Sequence, residues 1–262
     1  MMRIDTNAFS LGLVSEVPLK GGPLKQVVTQ IQHSQTPALV SDEGEAGIAA
    51  ELPEYPVRRR IVSGTISPAG QASEQVARTL SDVAGEWVVT LTENSISLQT
   101  TDYASRDDFC SRAGAIFAAV GRVAPPPVVD RVGLRYINRI EGEDIQNLED
   151  FVNPRLMLLA GALGSGMALG HTISDSLIVI EPDDQLQIRT GLLPAGVTFS
   201  PGVEASSRES WTLDMDVFNG TGHIYFDAEG LVSLLRQYSE HAYSFFRWAT
   251  SQALHDRYRR EG

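Results

Sequence analysis

A regular alternation of apolar and polar residues begins at Pro23 and ends at His33. Val27, Thr29 and Ile31 fall on one face of an extended chain there, while three of the four residues on the other face are glutamines. Successive side chains of a strand point to opposite faces of a sheet. The pattern therefore predicts a strand with one wet face.

Two more elements follow in the N-terminal half. The run Asp42–Glu51 has acidic residues in its first turn, which the positive end of a helix dipole favours, and Pro53 would end that helix. The run Arg58–Ser67 predicts a second strand.

A β-hairpin is the clearest pattern in the chain. The alternating runs Glu86–Thr92 and Ser95–Thr100 are separated by Glu93 and Asn94, a connection length typical of tight hairpin turns. The side chains expected to point inward are Trp87, Val89, Leu91, Ile96 and Leu98.

An amphipathic helix is expected to close the first half. Ser105 can cap its N-terminus, and apolar residues recur behind it at three-and-four spacing. They are Phe109, Ala113, Ile116, Phe117 and Val120. The following Pro125–Pro127 cannot continue a helix and favours extended chain. We therefore divide the chain into an N-terminal half, residues 1–124, and a C-terminal half, residues 125–262.

The same order of elements is predicted in the second half. The expected elements are a strand at Arg131–Ile140, a helical or mixed segment at Leu148–His171, a hairpin at Asp175–Thr190, a strand at Ser210–Phe218, and one long helix from Asp227. Each half then begins with a strand, continues with further strands and ends in an amphipathic helix. The sequence predicts an α+β fold of two pseudo-repeated halves, each a mainly antiparallel sheet followed by an amphipathic helix.

The segment Asp130–Ile140 contains the run Gly-Leu-Arg-Tyr-Ile-Asn-Arg-Ile. It resembles the signature of a sporadically distributed bacterial family of uncharacterised proteins of about this length. The likeness extends in order to Tyr55-Pro56, to the Trp87 hairpin running into Thr100–Tyr103, and to the terminal helix. The family has no assigned activity, so the resemblance implies no catalytic residue. Its patchy distribution is typical of mobile, defence-linked or toxin-associated genes.

Three arginines share one face of the strand that carries this signature. They are Arg131, Arg135 and Arg139. Tyr136 and Asn138 belong to the other face, because side chains alternate along a strand. The arginines could bind a phosphate, a carboxylate or an acidic partner segment by bidentate contacts. The alternative, which we favour, is that Asp214 and Asp216 pair with them across the sheet.

Other motifs give no catalytic assignment. The run Gly161–Gly170 lacks the Gly-Lys-Ser/Thr ending of a phosphate-binding loop, so a hinge or a close-packed connection is the better interpretation. Cys110 lies beside Phe109 on the predicted amphipathic helix, where a small buried thiol is ordinary. The five histidines have no ligand spacing, so no metal and no other cofactor are expected.

Composition limits the partners. A formal charge of -12 disfavours nucleic acid, because binding to phosphate backbones depends on Lys and Arg. No apolar run reaches the roughly 18 residues of a membrane span, and the N-terminus lacks the apolar core of a signal sequence. A single cysteine excludes an intrachain disulfide, which is typical of a reducing compartment. The sequence predicts a cytoplasmic protein outside the membrane.

Two functional hypotheses of different class follow. The first is a non-enzymatic accessory protein that binds another protein, in a mobile, defence or toxin-associated system, or forms a homodimer; its layout resembles the export chaperone SecB in outline. The second is an anion sensor or enzyme with a site between the two halves. Its residues would be Arg135, Tyr136, Asn138 and Arg139, with Asp214 or Asp216. The lack of a catalytic constellation favours the first.

Overall fold

The computed structural model describes residues 9–12, 16–17, 19, 21–66, 72–157, 159, 167, 169–180, 183–200, 202–220 and 222–259. The strands among them are β1 Leu24–His33, β2 Val57–Ile66, β3 Ala72–Ser81, β4 Trp87–Thr92, β5 Ser95–Thr100, β6 Val128–Glu141, β7 Ser174–Ile180, β8 Asp184–Leu193, β9 Ser210–Asn219 and β10 Ile224–Tyr225. The α-helices are α1 Asp42–Glu51, α2 Arg106–Val123, α3 Leu148–Phe151, α4 Ala228–Ala249 and α5 Gln252–Tyr258. Short 3-10 turns lie at Pro37–Val40, Gly142–Asn147 and Pro154–Leu156.

All ten of these strands belong to one antiparallel sheet. From edge to edge the order is β2-β3-β4-β5-β1-β6-β9-β8-β7, and β10 pairs with the first residues of β6. The central pair, β1 and β6, joins the N-terminal strands to the C-terminal ones. The fold is therefore α+β, with helices packed on an antiparallel sheet.

Helices α2 and α4 pack on each other and on one side of the sheet, which we call the helix face. Alternate residues of the strands, such as Ile31, Leu134 and Met215, are buried beneath them. The ring centroids of Trp87 on β4 and Phe109 on α2 are 6.0 Å apart. Removal of this apolar surface from water is the main stabilising contribution to the fold.

The other side of the sheet, which we call the open face, is polar and only partly covered. Gln30 and Gln99 are half-buried there. Gln26 departs from the wet face predicted for β1, since it is only 7% exposed and lies next to a bulge at Lys25. The loop between β8 and β9 covers part of β9, where Asp214 is buried.

Several predicted elements are confirmed together with their ends. Helix α1 spans the residues predicted for it, and the β4–β5 hairpin turns at Glu93 and Asn94. The five inward side chains of that hairpin are all buried. The side chain of Ser105 accepts the Asp108 N–H and caps α2, as expected. Each of these elements has a local sequence signal.

The prediction of one continuous C-terminal helix is wrong. Thr250 adopts an extended backbone and forms a bridge with Val152, while the Ser251 N–H donates to the Phe151 carbonyl at 2.8 Å. The chain thus leaves α4 to dock on α3 before Ser251 caps α5. The sequence patterns also do not predict β3 or β10.

On both sides of the centre the later strands follow outward in reverse order, four of them beyond β1 and three beyond β6. β1 is followed by β5, β4, β3 and β2, and β6 is followed by β9, β8 and β7. The predicted boundary at Pro125–Pro127 lies between α2 and β6, while one sheet and one buried core continue across it. The pseudo-repeat and the division into halves stay predictions. Most of the run Gly161–Gly170 lies outside the described residues.

Truncation of the buried side of α4 is expected to destabilise the protein. Leu235 and Phe245 are 0% and 2% exposed, and the Phe245 ring packs edge-on against Phe9. We expect L235A and F245A each to lower the free energy of unfolding by about 2–5 kcal/mol, because each leaves a cavity in a packed core. Urea unfolding measures this loss, with Leu177→Ala at an exposed edge position as the control. Wild-type midpoints for L235A and F245A would exclude this face of α4 from the core.

Helix α5 places a titratable group in the core. His255 is 1% exposed, its Nε2 lies 2.9 Å from Thr250 Oγ1, and its ring packs edge-on against Phe246. Burial, reinforced by the charge of Arg247, lowers the pKa of His255 to about 4 from the ordinary 6.5. The unfolded chain binds this proton first as the pH falls, so stability is lost between about pH 6.5 and 4.

We therefore expect a stability difference between wild type and H255L that depends on pH. Between pH 8 and 4.5, the wild type should lose about 2 kcal/mol more unfolding free energy than H255L. Denaturant unfolding at a series of pH values measures this difference and cancels the contributions of the other histidines. Parallel profiles for the two proteins would show that His255 is not held neutral by the fold.

Candidate functional site

Arg135 on β6 and Asp214 on β9 form a bidentate ion pair on the open face. Arg135 Nε and Nη2 donate to the two oxygens of Asp214 at 2.7 and 2.5 Å. Asp214 is 3% exposed and also accepts a hydrogen bond from Ser200 Oγ at 2.8 Å. The hydrogen bond to Asp214 raises the pKa of Arg135, so the guanidinium stays charged.

Arg131 and Asp216 form a second pair on the same two strands. Arg131 Nη2 donates to Asp216 Oδ2 at 2.8 Å, and its guanidinium lies 4.3 Å above the centroid of the Phe218 ring. A Cβ at Gly133 would meet this guanidinium at 2.6 Å, so the glycine leaves the space that the Arg131 side chain occupies. Burial raises the pKa of Asp216, and the charge of Arg131 opposes that rise.

Arg139 is held by the main chain of the β8–β9 loop. It is 9% exposed, and its Nη2 donates to the Glu204 carbonyl at 2.6 Å. Across the sheet it faces Thr212, and the nearest carboxylate, that of Glu141, lies 3.9 Å from Nη1. All three arginines of β6 thus contact acceptors of this chain, and the favoured pairing with Asp214 and Asp216 is present for the first two.

Tyr136 and Asn138 lie on the helix face, away from the arginines. Tyr136 OH is 2.8 Å from Ser239 Oγ on α4, and Asn138 Nδ2 donates to the Leu213 carbonyl at 3.5 Å. Consecutive residues of β6 point to opposite faces, so the thickness of the sheet separates them from Arg135. The combined site expected for the sensor hypothesis is therefore not brought together.

A cavity of about 280 Å³ lies between the helix face and the second half of α4. Tyr136 and Asn138 line it, together with residues 100–104 at the end of β5 and beyond it, and with a segment that precedes β1. This segment crosses the cavity because the Val17 N–H donates to Tyr243 OH on α4 at 2.7 Å. The cavity is thus closed on three sides by sheet, helix and N-terminal segment.

β2 is the edge strand on the opposite side of the sheet from β7. Its residues 58–64 are all exposed, and the run Arg58–Arg60 is followed by Ile61 and Val62, which are 49% and 46% exposed. Arg58 Nη1 lies 3.8 Å from Glu45. Within the described residues, no ion pair is recorded for Arg59 or Arg60. β2 therefore presents basic side chains next to apolar ones at a free edge.

The β2–β3 hairpin extends beyond its neighbours in the sheet. β3 pairs with β4 only over Ala77–Ser81, while its pairing with β2 continues as far as Ala72 and Ile66. The five residue pairs from Val62–Val76 to Ile66–Ala72 form a two-stranded arm, which we call the β2–β3 arm. A two-stranded ribbon has little core of its own, so its order depends on what packs against it.

Neither β2 as a basic edge nor the cavity is predicted from the sequence patterns. The sequence does contain a signal for the basic edge. Three consecutive arginines are unusual in a chain of net charge -12, and they fall within the predicted strand Arg58–Ser67. The cavity has no local signal, since its walls come from segments far apart in the sequence.

Comparisons with known proteins add no assignment to this geometry. No family model and no curated protein sequence matches the chain. The likeness of Asp130–Ile140 to a sporadically distributed bacterial family therefore stays a prediction. Among the helices of the described ranges, none is both long and apolar enough to cross a bilayer.

Loss of Arg135 is expected to lower stability, because it leaves a buried carboxylate without its partner. For R135A we expect a loss of about 3 kcal/mol in unfolding free energy. R59A, at an exposed arginine of β2, should change it by less than about 0.5 kcal/mol. Urea unfolding compares the two variants. Wild-type stability of R135A, combined with lost capture of a partner, would instead make Arg135 a binding residue.

Proposed function

We propose that this chain is a non-enzymatic accessory protein that adds an extended, acidic segment of a partner protein to the edge of β2. The observation that carries the proposal is a free edge strand of ten residues, Val57–Ile66, with a basic and apolar run at its centre. Every second residue of an edge strand leaves its N–H and C=O unpaired. Main-chain pairing with these groups supplies affinity, and the neighbouring side chains supply specificity.

The side chains of β2 favour acidic residues on the incoming strand. Arg59 faces the open side next to Thr79, and Arg60 faces the helix side next to Arg78. Asp42 and Glu45 already neutralise Arg78, which leaves Arg59 and Arg60 for a partner. Opposite charges on adjacent strands stabilise a pair, whereas like charges oppose it. The partner segment should therefore carry carboxylates in register with both arginines.

A protective role for these arginines is the main competing interpretation. Charged side chains on an edge strand discourage unwanted pairing. Two features support docking instead. Ile61 and Val62 expose almost half of their surface on the same edge. The β2–β3 arm also continues past β4, and no other described strand pairs with it there. A protected edge would be short, or it would keep such side chains covered.

The other hypotheses have less support. An anion sensor built on β6 would need free guanidinium groups, and Arg131, Arg135 and Arg139 all contact acceptors of the chain itself. A homodimer through β2 would bring the arginines of both copies to one edge, where they repel each other. We therefore propose a different protein as the partner, encoded by a neighbouring mobile, defence or toxin-associated gene. This protein carries the acidic segment.

Photo-crosslinking from β2 tests the proposal in the native host. A photo-reactive phenylalanine derivative replaces Ile61 in one protein and Tyr225, an 86% exposed residue on β10, in a control. We expect position 61 to label one host protein on an acidic segment that position 225 does not label, identified by peptide mass spectrometry. Equal labelling from both positions, or no specific adduct at position 61, contradicts docking at β2.

Charge reversal at the same edge provides an independent check. R59E should reduce capture of the crosslinked partner at least about tenfold, because it replaces attraction by repulsion next to the partner's carboxylates. R208E, at an exposed arginine of the β8–β9 loop, is the matched control and should capture at the wild-type level. Both variants should have the melting temperature of the wild type. Equal capture of the partner by R59E and R208E would then overturn the proposal.

A further inference from the structure

The cavity beside α4 has aromatic side chains on part of its wall. Four aromatic side chains line it, and they come from the strand-to-helix connection, from β6 and from α4. They are Tyr103, Tyr136, Tyr243 and Phe246. The rings of Tyr103 and Tyr136 meet edge to face with centroids 5.9 Å apart, and those of Tyr243 and Phe246 are 6.2 Å apart. A volume of about 280 Å³ is enough for a small organic molecule.

The phenol groups of Tyr103 and Tyr136 stay neutral. Burial raises the pKa of Tyr136 to about 12 and raises the pKa of Tyr103 further above its ordinary value. Tyr103 OH donates to Glu16 at 3.4 Å, and Tyr136 OH is hydrogen-bonded to Ser239. The ring faces therefore keep the negative quadrupole of uncharged phenols, which attracts cations.

Among the described residues, the charges that line the cavity have a negative balance. Glu16 and Asp102 line it and are exposed to solvent. Lys25 also lines it, but its Nζ is neutralised by Glu141 Oε1 at 2.9 Å. Arg106, which donates to Ser239 behind the wall, is similarly paired with Glu240 at 3.4 Å. An anion would meet two carboxylates at the entrance, whereas a cation would be attracted to them.

Asn138 adds a polar group that makes few hydrogen bonds within the described part of the chain. It is 4% exposed, lines the cavity, and within the described residues makes a single long side-chain hydrogen bond, from Nδ2 to the Leu213 carbonyl. A carboxamide can make four hydrogen bonds. This amide therefore has capacity left to bond a polar group of a molecule in the cavity.

From this geometry we infer that the cavity binds a small organic cation, such as a quaternary or alkylated ammonium compound with a polar substituent. The aromatic side chains surround the cationic group, Glu16 and Asp102 provide the attracting charge, and Asn138 bonds the polar substituent. This inference does not depend on the proposed docking at β2, because the cavity lies on α4 and β6, away from that edge. A neutral apolar ligand would leave the carboxylates at the entrance without a role.

Choline chloride and its neutral isostere 3,3-dimethyl-1-butanol separate these possibilities. The two molecules share shape and hydroxyl group and differ in the charge of one atom. We expect calorimetric titration of the full chain to show choline binding at least about tenfold more tightly than the isostere. Equal affinity for both, or binding of neither choline nor tetramethylammonium, overturns the inference.

Amino-acid substitutions test whether choline binds in this cavity. D102N should weaken choline about three- to tenfold, an effect that shrinks as salt is added, because the charge is solvent-exposed. E229Q, which removes an exposed carboxylate at the other end of α4, is the matched control and should bind choline like the wild type. Y103L should abolish the preference for choline over the isostere, with a melting curve that confirms folding. Choline affinity unchanged in both D102N and Y103L would contradict the assignment of this site.

Discussion

The pairing of β1 with β6 is the interaction on which the rest of the structure depends. It joins Val27–Gln32 to Arg131–Tyr136 at the centre of the sheet, and Thr29 Oγ1 adds a hydrogen bond to the Gly133 carbonyl at 2.9 Å. This register turns the arginines of β6 to the open face and Tyr136 to the helix face. A shift by one residue would exchange the two sets and bury charges beneath α4. The register thereby fixes both the ion pairs and the cavity.

The positive charges of this acidic chain are used in two ways. On β6 they stabilise the sheet, because each guanidinium has an acceptor on β9 or on the loop that covers it. On β2 they remain at the surface, next to apolar side chains on an edge that no other described strand covers. Each group consists of three arginines on one strand, but the two groups differ in burial and in ion pairing. The arginines of β2, rather than those of β6, are therefore accessible to a partner.

Local patterns predict local elements well in this chain. Acidic residues in the first turn and a following proline predict α1, and a capping serine with apolar spacing predicts α2. The two-residue turn predicts the β4–β5 hairpin. The break between α4 and α5 could not be predicted, because no glycine or proline marks it and its cause is the docking of Ser251 on α3. β3 is hard to recognise in the sequence because its outer half belongs to the β2–β3 arm. Apolar and polar residues alternate where one face of a strand packs on the core, and the arm extends beyond the strands that pack there. The cavity depends on contacts between distant segments, and only the fold brings Tyr103, Asn138 and Tyr243 together.

Hydrogen exchange with and without the captured partner tests the central claim most directly, because it reports which backbone amides the partner protects. If a partner strand adds to β2, the amides of residues 57–66 that do not bond to β3 should exchange far more slowly in the complex. β6 should exchange slowly in both states. New protection confined to β7, to the open face of β9 or to the β8–β9 loop, with β2 unchanged, would contradict the account.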